Sequence, residues 1–381
     1  MRIGIITQPL HTNYGGLLQN YALQQALIRL GHEPITLNQT AFEPIGWRVP
    51  IANLKTFLIH CLSKDNTRTY SWQRRLIRRN TDLFINKYIT HTGILKTYQD
   101  FHECTKKEAI DILIVGSDQV WRPMYNREIL RSFLDFSEGM DVKRLAYAAS
   151  FGVDCWEFTA EQTFRCRELI KQFDGISVRE DSAINLCREY LDCEAVHVLD
   201  PTMLLDKEDY TALVYNEHEP ENKGNLFTYI LDDSFEKQRV IQQVSELLGL
   251  TPFSSMPLPL NRQHAKNIDR CIFPPVTKWL RAFMDAKFVV CDSFHGVVFS
   301  IIFNKPFLVI GNKERGMTRF KSLLNTFRLQ NRMMSDINSF QSIVQSPIEW
   351  EKVNSIRTEL KVNSIDFLRK NISNSEKYPQ K

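Results

Sequence analysis

No G-x-x-x-x-G-K-[ST] loop, G-x-S-x-G elbow or H-E-x-x-H helix occurs in the 381 residues, so P-loop nucleotide hydrolysis, serine hydrolase chemistry and zinc catalysis have no support in the sequence. The eight cysteines are scattered, with no C-x-x-C pair and no histidine at zinc spacing, which reads as ordinary reduced thiols. A surplus of one charge sign is also missing. The 48 Lys and Arg against 44 Asp and Glu leave only +4, too little over this length for a dedicated nucleic-acid binder, and no nucleic-acid partner is expected. The longest apolar stretch, Phe288 to Phe303, carries Asp292, Ser293 and His295 and falls short of the ~20 uninterrupted residues that a membrane span needs. The start runs directly into Ile3-Gly4-Ile5-Ile6 with no signal-peptide pattern, so a cytoplasmic protein is expected.

What is present is a 43% hydrophobic, mixed-charge composition that excludes global disorder, over a length that suits two domains better than one core. Apolar runs of strand length alternate with helical patterns, the rhythm of an α/β chain with parallel sheets built from βαβ units. Ile3 to Thr7 opens the first unit, and Ile110 to Val115 gives another buried strand closed by Gly116-Ser117-Asp118-Gln119-Val120-Trp121. After Asp200-Pro201-Thr202 the pattern restarts, with Leu226 to Leu231 and Phe288 to Cys291 as strands. The boundary is placed near residue 195. This gives an N-terminal α/β domain over 1–195, a C-terminal α/β domain over 196–365 and a polar tail over 366–381. Residues 45–85, rich in Arg and aromatics, read as a basic helical insertion in the first domain.

The polar residues that follow the apolar runs are the candidates for chemistry, because α/β folds bind ligands at the carboxyl ends of their strands. Asn13-Tyr14-Gly15-Gly16 follows the first strand; its glycines would let backbone approach a phosphate or carboxylate at a helix N-terminus, the alternative being a plain strand-to-helix turn. Asp292-Ser293-Phe294-His295-Gly296 follows a second such strand, and the two turns suggest two facing half-sites. His295 suits proton transfer near neutral pH, or caps the helix that follows. Arg179 offers a fork for an anion, or pairs on the surface with Glu180 or Asp181. Asp118 suits a sugar hydroxyl beside an aromatic platform at Trp121, or a helix cap. Asp200-Pro201-Thr202 reads as a domain hinge. Arg315 and Arg319, beyond the strand at 306–310, could neutralise a phosphate or face solvent.

Taken in order, Asn13 to Gln19, Gly116 to Trp121, Ser177 to Asp181, Asp200 to Thr202 and Ser293 to Gly296 resemble the polysaccharide pyruvyl transferase family over about residues 1–330. The resemblance implies two Rossmann-like domains facing across a cleft, as in B-type glycosyltransferases, with the active site between them. It implies that phosphoenolpyruvate donates a pyruvyl group to two hydroxyls of one sugar, releasing phosphate and leaving a cyclic ketal, with no further cofactor and no metal. His295 and Arg179 would be the catalytic residues at the donor, with Ser293 and Phe294 beside them and Asn13, Gly15 and Gly16 opposite. Asp118 and Trp121 would meet the acceptor. That acceptor would be a sugar, free or lipid-linked, of a bacterial cell-surface polysaccharide such as a capsule or exopolysaccharide.

Members of the family often carry Arg-Leu-His-Gly where this chain has Ser293-Phe294-His295-Gly296. An arginine for the donor is therefore missing at 293: either another cation, such as Arg315 or Arg319, replaces it, or the donor differs. A sugar-nucleotide-dependent glycosyltransferase and a non-catalytic polysaccharide assembly factor stand as alternatives. In the insertion, Arg74, Arg75, Arg78 and Arg79 flank Trp72, Leu76 and Ile77, a pattern open to a peripheral contact with an anionic membrane or to a solvated helix docked on the first domain. The sequence sets neither the acceptor sugar nor the oligomeric state.

Overall fold

The runs of Ile, Val and Leu form two all-parallel sheets, each with helices packed on its faces. In the computed structural model, residues 1–39, 48–62, 69–260, 265–311, 317–334, 336 and 339–373 are described. The first half runs β1 (Arg2–Ile6), α1 (Tyr14–Arg29), β2 (Glu33–Thr36), α2 (Arg48–Leu62), α3 (Ser71–Tyr88), α4 (Tyr98–Lys107), β3 (Ile112–Val115) and β4 (Lys143–Ala149). It continues with α5 (Ala160–Ile170), β5 (Gly175–Val178), α6 (Ser182–Leu191) and β6 (Val196–His197), which pairs with β5, so the first sheet runs past the boundary expected near residue 195. The second half runs α7 (Lys207–Asn216), β7 (Leu226–Tyr229), α8 (Phe235–Leu248), β8 (Pro252–Phe253), α9 (Val276–Asp285), β9 (Phe288–Cys291) and α10 (Phe294–Ile302). It closes with β10 (Phe307–Val309), α11 (Thr318–Thr326), α12 (Phe340–Gln345) and α13 (Trp350–Ser373).

The first sheet has the order β2-β1-β3-β4-β5-β6 and the second β10-β9-β7-β8. From β1 the chain steps to one side for β2 and to the other for β3; from β7 it steps to β8 and then to β9 on the opposite side. Each reversal leaves a crevice outside the carboxyl ends of the two diverging strands, where a doubly wound sheet holds its ligand. The first crevice gathers the segments after β1 and β3, and the second those after β7 and β9. β10 lies beside β9, with Phe307 opposite Val289, which brings the segment after β10 to the same edge.

One apolar cluster joins the two halves. Tyr14, Leu17, Leu18 and Tyr21 of α1 pack in it with Phe227, Val289, Phe294, Val297 and Val298 of the second sheet and its helices. Tyr14 also stacks on Trp279, with ring centroids 5.8 Å apart, and its hydroxyl donates to the Pro274 carbonyl at 2.9 Å. Burying aromatic surface across the seam in this way sets the two sheet edges face to face.

The insertion is helical, as α2 and α3. The expected tail from 366 is a correction: α13 continues to Ser373, and its Leu368 and Ile372 are fully buried beside Ile3, Ile5 and Leu23 of the first domain. The polar composition of 366–373 hid an apolar pair at i, i+4, one face of a helix that crosses back from the second half to the first. The remainder of the tail, 374–381, lies outside the described residues. Leu368→Ala is expected to cost about 2–5 kcal/mol of unfolding free energy, as for other large-to-small core changes. Urea denaturation with an unchanged midpoint would return these residues to a tail.

Candidate active site

Where the two crevices face each other lies a cavity of about 490 Å³. Asn13, Tyr14, Asp118, Gln119 and Tyr125 line it from the first domain, and Leu231, Asp292, Ser293, Phe294, His295 and Arg319 from the second. Asn13 is the N-cap of α1: its Oδ1 accepts from the Gly16 N–H at 3.1 Å, and its Nδ2 reaches Asp118 Oδ2 at 3.4 Å. Asp118 has positive φ and its Oδ1 accepts from the Gln119 N–H at 2.9 Å. Gly15 and Gly16 do not line the cavity. Gly15 is instead a place where the two domains approach closely, since a Cβ there would stand 2.1 Å from His295 Nδ1. The side chain is absent at 15 because an imidazole occupies its space.

His295 sits in the first turn of α10, buried, and among the described residues its Nε2 has no hydrogen-bond partner. It points toward Asp200: Nε2 and Oδ2 are 3.7 Å apart, beyond hydrogen-bond range. The turn beneath it is fixed by Asp292, fully buried, which accepts from the Leu231 N–H at 2.7 Å, the Asp232 N–H at 3.2 Å and Lys237 Nζ at 2.6 Å. One carboxylate thereby ties the end of β7 to the end of β9.

Two expectations are corrected here. Arg179 does not line the cavity; its Nη1 donates to Asp200 Oδ2 at 2.8 Å and its Nη2 to Asp118 Oδ1 at 3.3 Å. The fork that was to hold a donor anion is filled by two of the protein's own carboxylates. Trp121 is fully buried, stacked on Phe133 at 5.1 Å, with its Nε1 donating to the Ser132 carbonyl at 2.9 Å. It is a core residue, in a turn after β3 whose residues 116–121 are all buried, and an aromatic from the same segment that does reach the cavity is Tyr125, four residues on, with the Arg122 guanidinium 4.9 Å from its ring centre.

Asp200 is what the sequence reading passed over as a hinge. Only 2% exposed, it collects Arg179, the Ser117 hydroxyl at 3.3 Å, and the Thr202 N–H and hydroxyl at 3.0 and 2.7 Å. The signal was available: Asp200 is the first carboxylate after β6, on the same sheet edge that carries Asp118 and Arg179. Burial alone would raise its pKa, yet His295 and Arg179 with their positive potential, and the Thr202 hydroxyl, hold it far below the usual carboxylate range. Asp118 is shifted the same way; burial opposes, and Arg179, His295 and Arg319 prevail.

Arg319, in the first turn of α11, lies on the cavity wall with His295. Burial and the nearby Arg179 push its pKa down to about 10, so it stays charged at neutral pH. Phe294 lies between the two guanidiniums, its ring centre 4.4 Å from Arg179 and 5.6 Å from Arg319. Arg315 lies outside the described residues.

A family model described as polysaccharide pyruvyl transferase matches residues 13–314. The chain belongs to the polysaccharide pyruvyl transferase family. Among solved structures it resembles UDP-GlcNAc 2-epimerase from Neisseria meningitidis bound to UDP-GlcNAc, at 9% identity and a TM-score of 0.55, covering 98% of this chain and 99% of that one. It also resembles an S. aureus MnaA-UDP co-structure, at 12% identity and 0.52, covering 100% and 99%. A third is Arabidopsis thaliana UGT89C1 complexed with UDP-L-rhamnose, at 7% and 0.53, covering 96% and 98%. No curated protein matches the chain. The likenesses carry the fold, that of the B-type glycosyltransferases and related epimerases, with its cleft between two parallel-sheet domains.

The geometry makes Gly15 and Asp200 testable. Gly15→Ala should lower turnover of this transferase by ~100-fold, the scale of a 1 Å misplacement in a catalytic site. Gly16→Ala should be mild, since its Cβ would meet only the movable Asn13 side chain at 3.0 Å. Equal effects of the two changes on turnover would refute the clearance argument. Asp200→Asn should destabilise by about 3 kcal/mol, because Arg179 is left with one partner in the interior. Both aspartates have folded pKa values below the unfolded value of about 4, so their stabilisation is complete above that pH and is lost as the pH falls through the folded values. Thermal melts should show the wild type losing Tm below about pH 4, and Asp200→Asn starting lower and falling less steeply.

Proposed function

We propose that the protein acts in the cytoplasm as a phosphoenolpyruvate-dependent transferase that places a pyruvyl group on two hydroxyls of one sugar, in a cell-surface polysaccharide or its lipid-linked precursor, as a cyclic ketal. The observation that supports this best is the pairing, on one cavity wall, of His295, whose Nε2 has no hydrogen-bond partner among the described residues, with the buried guanidinium of Arg319. Two C–O bonds form to the donor's central carbon and its bond to the phosphate oxygen breaks. One hydroxyl proton ends on the donor's methylene, which becomes a methyl group, and the other leaves with phosphate. Protonating the methylene creates an oxocarbenium-like centre, and an imidazole is suited to that transfer.

In this reading Asp200 orients His295 and offsets the charge it gains, while Arg319 faces the donor's carboxylate or phosphate. An anion in a partly desolvated cleft needs such a partner. Asp118 accepts a hydrogen bond from an acceptor hydroxyl, and Tyr125 offers the ring face that Trp121 cannot. Ser293 and Phe294 complete the donor wall, and Asn13 stands opposite through its contact with Asp118.

Phosphate release from phosphoenolpyruvate, together with a pyruvyl mass gain on a candidate acceptor, checks the reaction. Release of a nucleoside diphosphate from a sugar nucleotide would instead establish the glycosyltransferase alternative. His295→Ala should lower turnover by ~100-fold or more with the fold retained. Arg319→Ala should raise the donor KM well above any change in the acceptor KM. Normal donor kinetics in the Arg319 variant would remove the residue from the donor site.

A further inference from the structure

The insertion between β2 and the rest of the first domain presents an apolar stripe that no described residue covers. On α2, Ile51, Leu54 and Phe57 are 57, 59 and 53% exposed at i, i+3 and i+6, one side of a helix, while Thr56 faces inward. On α3, Trp72 is 56% and Leu83 68% exposed, with the exposed Arg75 and Arg79 between them along the same face. The two helices are tied at their near ends, where the Ser71 N–H donates to Asn53 Oδ1 at 3.0 Å.

The charge on these helices is as uneven as the apolar exposure. α2 and α3 carry seven basic residues and one acidic residue, Asp82, which Arg78 binds at 2.9 Å. This surplus exceeds the +4 of the whole chain, so the remainder of the protein is net negative. Among the described residues no helix is long and apolar enough to cross a membrane. An amphipathic surface of this kind, with Phe, Leu and Trp beside Arg and Lys, matches the headgroup region of a bilayer rather than its interior.

We propose that α2 and α3 dock the protein on an anionic lipid surface, with Ile51, Leu54, Phe57 and Trp72 entering the headgroup region and Arg75 and Arg79 on the lipid phosphates. The geometry differs from the simple sequence pattern. Leu76 and Ile77 are half-buried, and the Ile77 carbonyl accepts from the Phe273 N–H at 2.7 Å while Asn80 Nδ2 donates to the Phe273 carbonyl at 2.8 Å. Arg74 is spent at the start of its own helix, its Nη1 donating to the Thr69 carbonyl at 2.6 Å. Phe273 itself lines the cavity, so the lipid-facing helix and the cavity wall share one residue's backbone bonds. A sugar carried on a lipid would meet the cleft while its tail stayed in the bilayer. That last step rests on the reaction proposed above; the docking does not.

The test uses the full chain and sedimented vesicles of phosphatidylcholine with rising phosphatidylglycerol, so that lipid binding is read without activity. The bound fraction should rise with phosphatidylglycerol and fall with added salt. The variant Ile51→Ser/Leu54→Ser/Phe57→Ser, and separately Arg75→Glu/Arg79→Glu, should each reduce the partition coefficient by ~10-fold or more while circular dichroism and turnover on a soluble acceptor stay at wild-type values. Wild-type binding that is indifferent to phosphatidylglycerol, or unchanged in both variants, overturns the proposal. So does a wild-type dimer in sedimentation velocity that both variants dissolve, since the stripe would then be covered by a second copy.

Discussion

The distance between Gly15 and His295 is the constraint from which the rest of the site follows. A methyl group at residue 15 would overlap the imidazole, so α1 of the first domain and α10 of the second can approach this closely only with a bare Cα at the seam. That approach is held by apolar and aromatic burial on one side, with Tyr14 on Trp279 and Leu17 in the shared cluster. On the other side it leaves the two sheet crevices open to each other. His295 thus belongs to the second domain by sequence but reads the charges of the first, since Asp200 follows β6. A site assembled from both domains is emptied by any movement that parts them.

Buried charge in the first domain is internally matched. Arg179 spans Asp118 and Asp200, and each carboxylate is also served by backbone or hydroxyl donors. An ion cluster of this kind adds little net stability against an apolar equivalent, because desolvation consumes most of the Coulombic gain. Its contribution is placement. It keeps Asp118 on the cavity wall and sets Asp200 3.7 Å from the imidazole Nε2.

The strand-end rule located His295, Asp118 and Arg319 on one cavity because it depends only on topology, and topology was visible in the alternation of apolar runs and helical patterns. It failed where side-chain direction decides. Arg179 and Trp121 also follow strands, yet one points along the sheet edge to internal carboxylates and the other into the core beside Phe133. Sequence position gives the end of a strand but not which way its last side chains turn. Asp200 was missed for the converse reason: β6 has only two residues, too few to register as a strand, so the carboxylate after it looked like a linker. The same shortness of signal hid Leu368 and Ile372, whose partners in the core lie more than three hundred residues away.

The serine at 293 follows from where the cations already are. Position 293 is buried, and Phe294 beside it is flanked by two guanidiniums. Arg319 is already depressed by burial and by Arg179. A third guanidinium at 293 would add repulsion from Arg319 in a buried wall whose neighbouring carboxylate, Asp292, is already bound to Lys237. A serine there keeps the wall polar and neutral. On the proposed reading, the cation that relatives present from the strand end is presented here from α11, one helix further along the chain and on the same face of the cleft.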